Sequence, residues 1–595
     1  MFGWAIDASR SGRPLGLICT RHCNAGLTAT GVGLFDIVQQ RGHRHLRRLL
    51  ILWTPMRIPV LATLILCPCL AAQPGTFVET AIGLTRDDRP IPATISTDDL
   101  DFSTSKTRVL LVGVAETADA IQSELTWFRT SPFADSIALS AVPDAMTSGT
   151  YPAEGDQYHS DERESAYLWR WIGMHAPDLV VEVKQGPTRS WSAGESSDLA
   201  SRLKAKIAQT SGQLYFELGR AKPSDVGTIP ALRVETVGPG FLEPLLQALK
   251  PASFHGPSRA RAEIQARVNR KPVEVANQLA AVYGHELDTV AYIPAVALMG
   301  RLRLGRLTGD EIHLSDVERI VRPYLEGKPS FPESPSGSNV SGHLIFGELA
   351  KATGNSRYVA LARDAADMGF DSAGQMAESM PFHNEMSDAV FMGCAILAQT
   401  GGLTGDRKYF DMALRHFRFM RNLCLREDGI YRHSPLDEAA WGRGNGFPAL
   451  GLALTLSDTP ESHSGRAEIL EGYREHMKAL LSHQDPTGMW HNVIDRVGSF
   501  RELTSTSMIG FALARGLRRG WLEGDEFRQA VDRAWYGLKT RVAADGSLVD
   551  VCRSTGKQKT IRDYFDRTAI LGKDDRGGAM ALLFATEIAA SAVVP

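Results

Sequence analysis

The feature that most constrains the fold is a short turn, Thr-Gly followed by Asp or Asn, that recurs along the second half of the chain. Its threonines are Thr308, Thr353 and Thr404, which are 45 and 51 residues apart, and an apolar stretch precedes each of them. Glycine after a helix is typical of a C-terminal cap, and Asp or Asn after it can open the next helix. The repeat therefore predicts stacked helical hairpins.

A second turn, also after a helical stretch, recurs at Gly429, Gly488 and Gly546, which are 59 and 58 residues apart. Residues 262–590 have room for roughly six hairpins at ~50 residues each. Such an array is either an open solenoid or a closed α/α ring, and the period does not distinguish the two. We favour the ring, because the loops between helices carry aromatic and charged residues unlike the surface of an open array.

The first half of the mature chain has a different pattern, in which short β-rich runs alternate with helical ones. The predicted strands lie at residues 108–114, 136–142, 178–183 and 213–218, and a helix is predicted near residues 116–128. This alternation is typical of a small α/β domain with a mostly parallel sheet. We therefore predict a multidomain chain: an α/β accessory domain at residues 76–250, followed by an all-α domain at residues 262–590.

The N-terminus carries an export signal. Residues 58–72 read IPVLATLILCPCLAA, an apolar run of signal-peptide length that follows a cluster of arginines. Basic residues, a short apolar run and small residues at its end describe a secretory signal. We predict an upstream extension at residues 1–55, a signal peptide at residues 56–72, and export to the periplasm or beyond. An uncleaved membrane anchor starting near Leu49 is the alternative.

Composition and cysteine use exclude several classes. The chain is 43% hydrophobic and 22% charged with a formal net charge of -3, and its one basic cluster belongs to the predicted signal. Neither a nucleic-acid partner nor a stable membrane partner is expected. Cys394, Cys424 and Cys552 remain after the signal, scattered and odd in number. They form neither a disulfide framework nor a zinc-binding spacing.

The densest chemical signal is residues 441–447, WGRGNGF, with Asp437 just before it. Glycine allows tight turns and close approach of a ligand, and the planar arginine fork fits a carboxylate. We therefore interpret the string as a loop that binds an acidic sugar, and not as a core helix. Two further candidate segments are HNEMSD at residues 383–388 and the stretch GMWHN at residues 488–492, which precedes RELTSTSM.

Each candidate also has a structural reading. Ser387 or Asp388 can cap the helix that follows, and Glu502 can cap the helix that starts in the hydroxyl-rich run. Trp490 after a turn is often a core side chain, and His433 alone is more often a structural hydrogen-bonding group. Only the convergence of these segments favours a shared site.

Five strings occur in a fixed order: DAVFMG, TGDRKYFDMA, DGIYRHSPLDEAAWGRGNGF, TGMWHNVID and RELTSTSMIGFAL. In them the chain resembles the unsaturated glucuronyl and unsaturated rhamnogalacturonyl hydrolases of glycoside hydrolase families 88 and 105, over about residues 262–590. The resemblance implies an (α/α)6 barrel that needs no metal or cofactor. It also implies a secreted enzyme that removes a terminal 4,5-unsaturated uronic acid from products of polysaccharide lyases.

In that chemistry a carboxylic acid protonates C4 of the double bond, water adds at C5, and the hemiketal opens to release the next sugar. The resemblance assigns the acid/base role to Asp437 and a supporting role to Asp388. The predicted substrate-binding residues are His433, Trp441, Arg443, Asn445, Trp490, His491 and Glu502. Phe447 departs from the Trp often found there, which leaves the lyase product open. The alternatives are another (α/α)6 carbohydrate-active enzyme, such as a mannanase-type hydrolase or sugar epimerase, and a non-catalytic glycan-binding protein.

Residues 76–250 show a faint resemblance to zinc carboxypeptidase-like domains. Where those enzymes carry an HxxE pair of zinc ligands, this chain has Gly113 and Glu116. A catalytic zinc needs about three protein ligands. We therefore expect a non-catalytic relative, with His159, Glu164 and His175 as the remaining candidate ligands.

Overall fold

A computed structural model describes residues 76–147, 151, 163–249 and 256–592. The predicted extension, the signal peptide and its alternative anchor, and the candidate ligand His159 lie outside these residues. Within them, no helix combines the length and apolar character needed to cross a bilayer.

The first part of the described chain is an eight-stranded sheet, because its short runs of Val, Leu and Ile are buried on both faces between helices. Its strands are β1 Phe77–Leu84, β2 Pro90–Ser96, β3 Thr107–Val112, β4 Ile137–Val142, β5 Leu179–Gln185, β6 Ser190–Ala193, β7 Lys206–Ile207 and β8 Ala231–Thr236. The strand order is β1-β2-β4-β3-β5-β8-β6-β7. The central neighbours β4, β3, β5 and β8 are parallel, whereas β1 and β2 pair antiparallel.

Five helices accompany this sheet: α1 Ala118–Phe128, α2 Arg163–His175, α3 Asp198–Arg202, α4 Leu214–Glu217 and α5 Leu242–Ala248. The predicted α/β region, its helix near residue 118 and the three strands that became β3, β4 and β5 are confirmed. The strand predicted at residues 213–218 is wrong, because this segment forms α4. All four α4 side chains are buried, so its apolar run packs as one helical turn and does not add a strand.

The rest of the chain is mainly helical. The helices are α6 Arg259–Val268, α7 Pro272–Ala280, α8 Tyr292–Thr308, α9 Ile312–Leu325, α10 Gly337–Gly342, α11 Leu344–Thr353, α12 Ser356–Ala366, α13 Ala395–Thr404, α14 Arg407–Cys424, α15 Gly442–Asp458, α16 Arg466–Leu481, α17 Leu503–Arg518, α18 Asp525–Thr540, α19 Ile561–Phe565 and α20 Asp575–Ser591. Two short hairpins interrupt them. Their strands are β9 Trp490–His491 with β10 Arg501–Glu502, and β11 Leu548–Cys552 with β12 Ala569–Gly572.

The Thr-Gly repeat marks helix ends, as predicted. Gly309, Gly354 and Gly405 follow α8, α11 and α13, with φ angles of 72°, 73° and 71°. Only glycine adopts this left-handed conformation without a steric penalty, which explains why the turn keeps it.

Six inner segments follow one another around a ring: α8, α10 with α11, a π-helical turn Val390–Cys394 with α13, then α15, α17 and α20. Each contacts the next, and α20 returns to α8. The segments run in the same direction. Tyr292 at the start of α8 lies edge-on to Phe447 near the start of α15, with ring centroids 5.5 Å apart. At the other end, Arg515 of α17 binds Glu587 of α20 at 2.7 Å.

The sheet packs directly on the helical region, and both belong to one compact unit. A buried ion pair and a buried hydrogen bond join them: Arg170 of α2 lies 2.8 Å from Asp550 of β11, and Thr80 of β1 donates to Asp485 at 3.1 Å. The domain boundary near residues 250–262 stays a prediction.

Candidate active site

The WGRGNGF string forms the first turns of α15 and is fully buried, so the prediction of a loop is wrong, whereas binding of an acidic sugar by these residues stays a prediction. Its glycines allow close approach of other elements. A Cβ on Gly442 would lie 2.7 Å from the His491 carbonyl oxygen, and one on Gly446 would lie 2.6 Å from the Met508 side chain. The glycines therefore bring α15 against α17, and no tight turn is needed.

Asp388 lies immediately before the π-helical turn Val390–Cys394. The predicted helix cap is absent at this turn, since no side chain caps it, and Ser387 instead donates to the Gly444 carbonyl oxygen at 2.6 Å. The Asp388 side chain is nearly buried, with 3% of the residue exposed. Its Oδ1 lies 3.4 Å from His433 Nε2, and neither atom forms a hydrogen bond within the described chain. π-Helical turns are frequent at functional sites.

His433 is held by Tyr564. The two side chains are hydrogen-bonded at 2.8 Å between Nδ1 and the phenol oxygen, and the same oxygen accepts the Gln558 backbone N–H at 3.0 Å. Burial raises the pKa of Tyr564 to about 12, so its hydroxyl stays protonated at neutral pH. This hydrogen bond fixes the orientation of the His433 ring. The other ring nitrogen, Nε2, faces Asp388.

Asp437 is half-buried in the turn before α15. Its carboxylate accepts the Ala439 backbone N–H at 2.7 Å, and its own N–H donates to Ser434 at 3.4 Å. The Asp437 side chain therefore stabilises its own turn, whereas Oδ1 of Asp388 forms no hydrogen bond within the described residues.

Two guanidinium groups lie close to the indole of Trp441. Arg443 and Arg567 place Cζ 4.7 Å and 4.4 Å from the centre of its indole, and the His433 ring centroid lies 4.4 Å away. Cationic groups are attracted to aromatic faces. Arg443 is completely buried and donates to the carbonyl oxygens of Cys552, at 3.0 Å, and Ser554.

The other predicted binding residues form contacts that stabilise the fold. Asn445 bonds the Tyr431 backbone at 2.7 and 2.8 Å, and Glu502 caps α17 by accepting the Ser505 N–H at 2.5 Å, as its structural reading predicts. Trp490 is buried in the core and donates to Leu480. His491 lies in a separate network, 3.4 Å from Asp485. A role of these four side chains in substrate binding stays a prediction.

Three residues near Asp388 were missed by the sequence reasoning: Tyr292, Tyr564 and Arg567. Tyr292 packs edge-on against Phe391 and Phe447 beside Asp388, at centroid distances of 6.2 and 5.5 Å. Tyr564 and Arg567 belong to the segment from α19 to β12, which contains none of the family strings. Only an Arg-Asp-Tyr-Phe-Asp-Arg cluster, dense in charge around two aromatics, pointed to them.

The candidate zinc ligands of the sheet region serve other contacts. Glu164 accepts the Arg86 backbone N–H, and His175 stacks on Trp171 and lies 3.3 Å from Asp99. Nowhere in residues 76–147, 151, 163–249 and 256–592 do three His, Cys, Asp or Glu side chains come together as metal ligands.

A buried histidine supports the segment that carries Asp388. His416 accepts the Met380 backbone N–H at Nδ1, at 3.1 Å, and lies 2.9 Å from the Ala389 carbonyl oxygen at Nε2. Burial lowers its pKa from 6.5 to about 4. The unfolded chain therefore binds a proton below pH 6.5, whereas the folded chain binds it only near pH 4.

We expect the free energy of unfolding to fall as pH decreases from 6.5 to 4, with His416 contributing roughly 3 kcal/mol by the lower limit. Urea unfolding at several pH values checks this in the wild type and in His416→Gln. The variant should be less stable at pH 7 and depend less steeply on pH. Equal slopes in both proteins would contradict the assignment of His416.

Comparisons with known proteins agree with the resemblance. The sequence profile of Glycosyl Hydrolase Family 88 matches residues 264–592. The unsaturated rhamnogalacturonyl hydrolase YesR of Bacillus subtilis (strain 168) is 24% identical over 289 residues, which cover 45% of this chain and 81% of YesR. An unsaturated 3S-rhamnoglycuronyl hydrolase of Alteromonas sp. (strain LOR) is 26% identical over 174 residues, which cover 27% of this chain and 42% of the relative.

Solved structures are similar as well. A glycoside hydrolase from family 105 of C. acetobutylicum ATCC 824 aligns over 53% of this chain and 98% of its own, with 21% identity and a TM-score of 0.47.

Proposed function

Because this chain belongs to glycosyl hydrolase family 88, we propose that it removes a terminal 4,5-unsaturated uronic acid from polysaccharide-lyase products, with Asp388 as the proton donor. The chain is thus a glycoside hydrolase whose bond cleavage follows from hydration of a double bond. The observation that carries the proposal is the nearly buried Asp388 carboxyl, whose Oδ1 has no hydrogen-bond partner among the described residues.

The position of this carboxyl favours an anionic substrate. Asp388, Tyr292 and Trp441 all lie at the starts of inner segments that run in one direction. The N-terminus of a helix carries partial positive charge from its free N–H groups, and this charge acts within the first turn. The carboxylate of a uronic acid matches this end of the ring, whereas the arginines at the opposite end offset the negative helix termini.

The structure leads us to exchange the two carboxyl roles. The carboxyl group that donates the proton must reach a carbon atom of the substrate, and it must not be engaged in hydrogen bonds that stabilise the fold. Asp388 faces His433 and lies beside aromatic side chains, whereas the Asp437 oxygen is already bonded to the backbone of its own turn. We assign proton transfer to Asp388, and to Asp437 a supporting role at the edge of the site.

The steps then balance as follows. Asp388 gives its proton to C4, the double-bond electrons form the new C–H bond, and positive charge develops at C5 and the ring oxygen. Water adds to C5 and returns a proton to the Asp388 carboxylate. The hemiketal opens, and the next sugar leaves with its glycosidic oxygen. His433, oriented by Tyr564, holds the carboxylate between the two proton transfers.

We further propose that the inner ring is the (α/α)6 barrel that the family resemblance implies. The contact between the last inner helix and the first supports closure: a Cβ on Gly300 of α8 would lie 2.6 Å from Leu582 of α20. The common direction of the inner segments supports it as well, since it places all their starts around one mouth.

We expect the purified protein to remove the ultraviolet absorbance of the double bond when it is mixed with unsaturated oligosaccharides. Products of pectin, rhamnogalacturonan, ulvan and glycosaminoglycan lyases form the test panel, because Phe447 leaves the substrate open. Saturated oligosaccharides of the same backbones serve as controls and should release no sugar.

Two outcomes would favour the alternatives. Sugar release from saturated chains indicates another carbohydrate-active enzyme. Binding of the panel with no loss of absorbance at any concentration of protein indicates a glycan-binding protein, and contradicts the proposal.

A further inference from the structure

We propose that Arg567, in the segment between α19 and β12, is the residue that receives the carboxylate of the substrate and so selects an acidic sugar. This inference rests on the proposed function, and names the recognition residue for the same site.

The geometry of Arg567 is that of a binding group whose partner is missing. Only 8% of the residue is exposed, and its guanidinium is fixed by two aromatic faces, with Cζ 4.4 Å from Trp441 and 4.9 Å from Tyr564. Its Nε and Nη1 are buried without a hydrogen bond inside the described part of the chain. Nearly all buried donors in folded proteins are satisfied, so two on one arginine require an explanation. The nearby Cys552 thiol offers at most a weak acceptor.

Arg443, the predicted carboxylate ligand, already donates hydrogen bonds to backbone carbonyl groups. Its Nη1 and Nη2 donate to the carbonyl oxygens of Cys552 and Ser554, and the residue has no exposed surface. This arginine fixes the strand end that faces Trp441. Arg567 lies beside the same indole with two donors unused, whereas Arg443 has one, its Nε, and this difference makes Arg567 the better partner for a ligand.

Charge balance points the same way. The cations Arg443 and Arg567 share this buried cluster with the anions Asp388 and Glu502. Burial lowers the pKa of Arg567 because it disfavours the charged guanidinium, and the neighbouring Arg443 lowers that pKa further. When Asp388 carries the proton that catalysis requires, one positive charge remains in excess. A substrate carboxylate supplies the missing charge in a place where an unpaired ion is costly.

A loop holds one edge of this cluster. Residues 553–560 lie against the cluster, where Arg567 Nη2 donates to the Gly556 carbonyl oxygen and the Gln558 N–H donates to Tyr564. At the surface, Lys557 pairs with Glu385 at 2.8 Å and ties this loop to the segment that carries Asp388. The substrate carboxylate is received by Nε and Nη1, whereas Nη2 keeps its bond to the Gly556 carbonyl oxygen.

The test compares the free acid of an unsaturated disaccharide with its methyl ester, which keeps the double bond but loses the charge. For the wild type we expect kcat/KM to be higher for the acid. In Arg567→Gln we expect that preference to fall by about 10- to 100-fold, mainly through KM of the acid, because hydrogen bonds to charged groups are worth that much. Arg567→Lys should recover part of the preference.

The ratio of acid to ester is measured in one protein sample, so partial misfolding of a variant does not alter it. Arg562→Gln is the matched control, since Arg562 is about half exposed on the same segment and pairs with Asp88 at 3.3 Å. It should keep the wild-type ratio. An unchanged ratio in Arg567→Gln, in a wild type that is active, overturns the inference. A wild type that consumes neither substrate overturns the proposed function instead.

Discussion

Asp388→Asn is expected to lower kcat/KM on the best unsaturated oligosaccharide by about 10²- to 10⁴-fold, the usual contribution of a general acid. The amide keeps the size and burial of the side chain but has no acidic proton to give to C4. The measurement is the initial rate of absorbance loss. Because Asn can still contact sugar hydroxyls, KM should change much less than kcat.

Asp437→Asn is the matched control, as it removes the carboxylate to which the sequence assigns the acid role. Its oxygen already accepts a backbone N–H in its own turn, and an amide oxygen can do the same. We expect a smaller loss, about 10-fold or less, with both variants as thermally stable as the wild type within a few degrees. A loss of activity in Asp437→Asn that exceeds the loss in Asp388→Asn would restore the roles that the sequence predicts.

Asp485→Ala is expected to lower the free energy of unfolding by about 3–5 kcal/mol, because it leaves a buried arginine without its partner. Arg501 donates to both Asp485 oxygens, at 2.9 and 2.7 Å, and Thr80 of β1 donates to the same carboxylate at 3.1 Å. The side chain thus joins the sheet to the β9–β10 hairpin. Denaturant unfolding monitored by tryptophan fluorescence measures the effect.

The control for this variant is Glu468→Gln, which breaks an exposed ion pair with Arg418 and should cost no more than about 1 kcal/mol. The pH dependence provides a second check. Burial alone would raise the pKa of Asp485, but Arg501 and His491 outweigh it and hold that pKa well below its usual value of 3.8. The stability from Asp485 is therefore present above pH 3.8 and is lost as pH falls below it. Equal stability of Asp485→Ala and the wild type at pH 7 would contradict this account.

The helical region could be predicted well from sequence, because its signal is local. A Thr-Gly turn requires a left-handed glycine, and Gly309, Gly354 and Gly405 occupy it at three helix ends. The sheet was predicted only in its centre, where apolar runs are continuous. The last two strands of the sheet, β6 and the edge strand β7, are short and partly exposed, and their pairing depends on distant residues.

The candidate site was predicted in part, because sequence strings do not show which face of a residue is free. The strings predicted that Asp388, His433 and Trp441 lie together. In the structure, His433 is indeed close to both Asp388 and Trp441. The strings did not show that the side chains of Asn445 and Glu502 form hydrogen bonds with backbone groups. Arg567 lies 124 residues after Arg443 and reaches Trp441 only through the packing of α19 and the β11–β12 hairpin, which no local pattern encodes.

The central claim, that Asp388 drives hydration of the double bond, is tested most directly by proton NMR of an unsaturated disaccharide treated with the protein in D2O. We predict that the vinyl H4 signal disappears in step with release of the neighbouring sugar, that one solvent deuteron enters at C4, and that both events stop in Asp388→Asn. Release of the neighbouring sugar while the vinyl H4 signal persists would contradict the account.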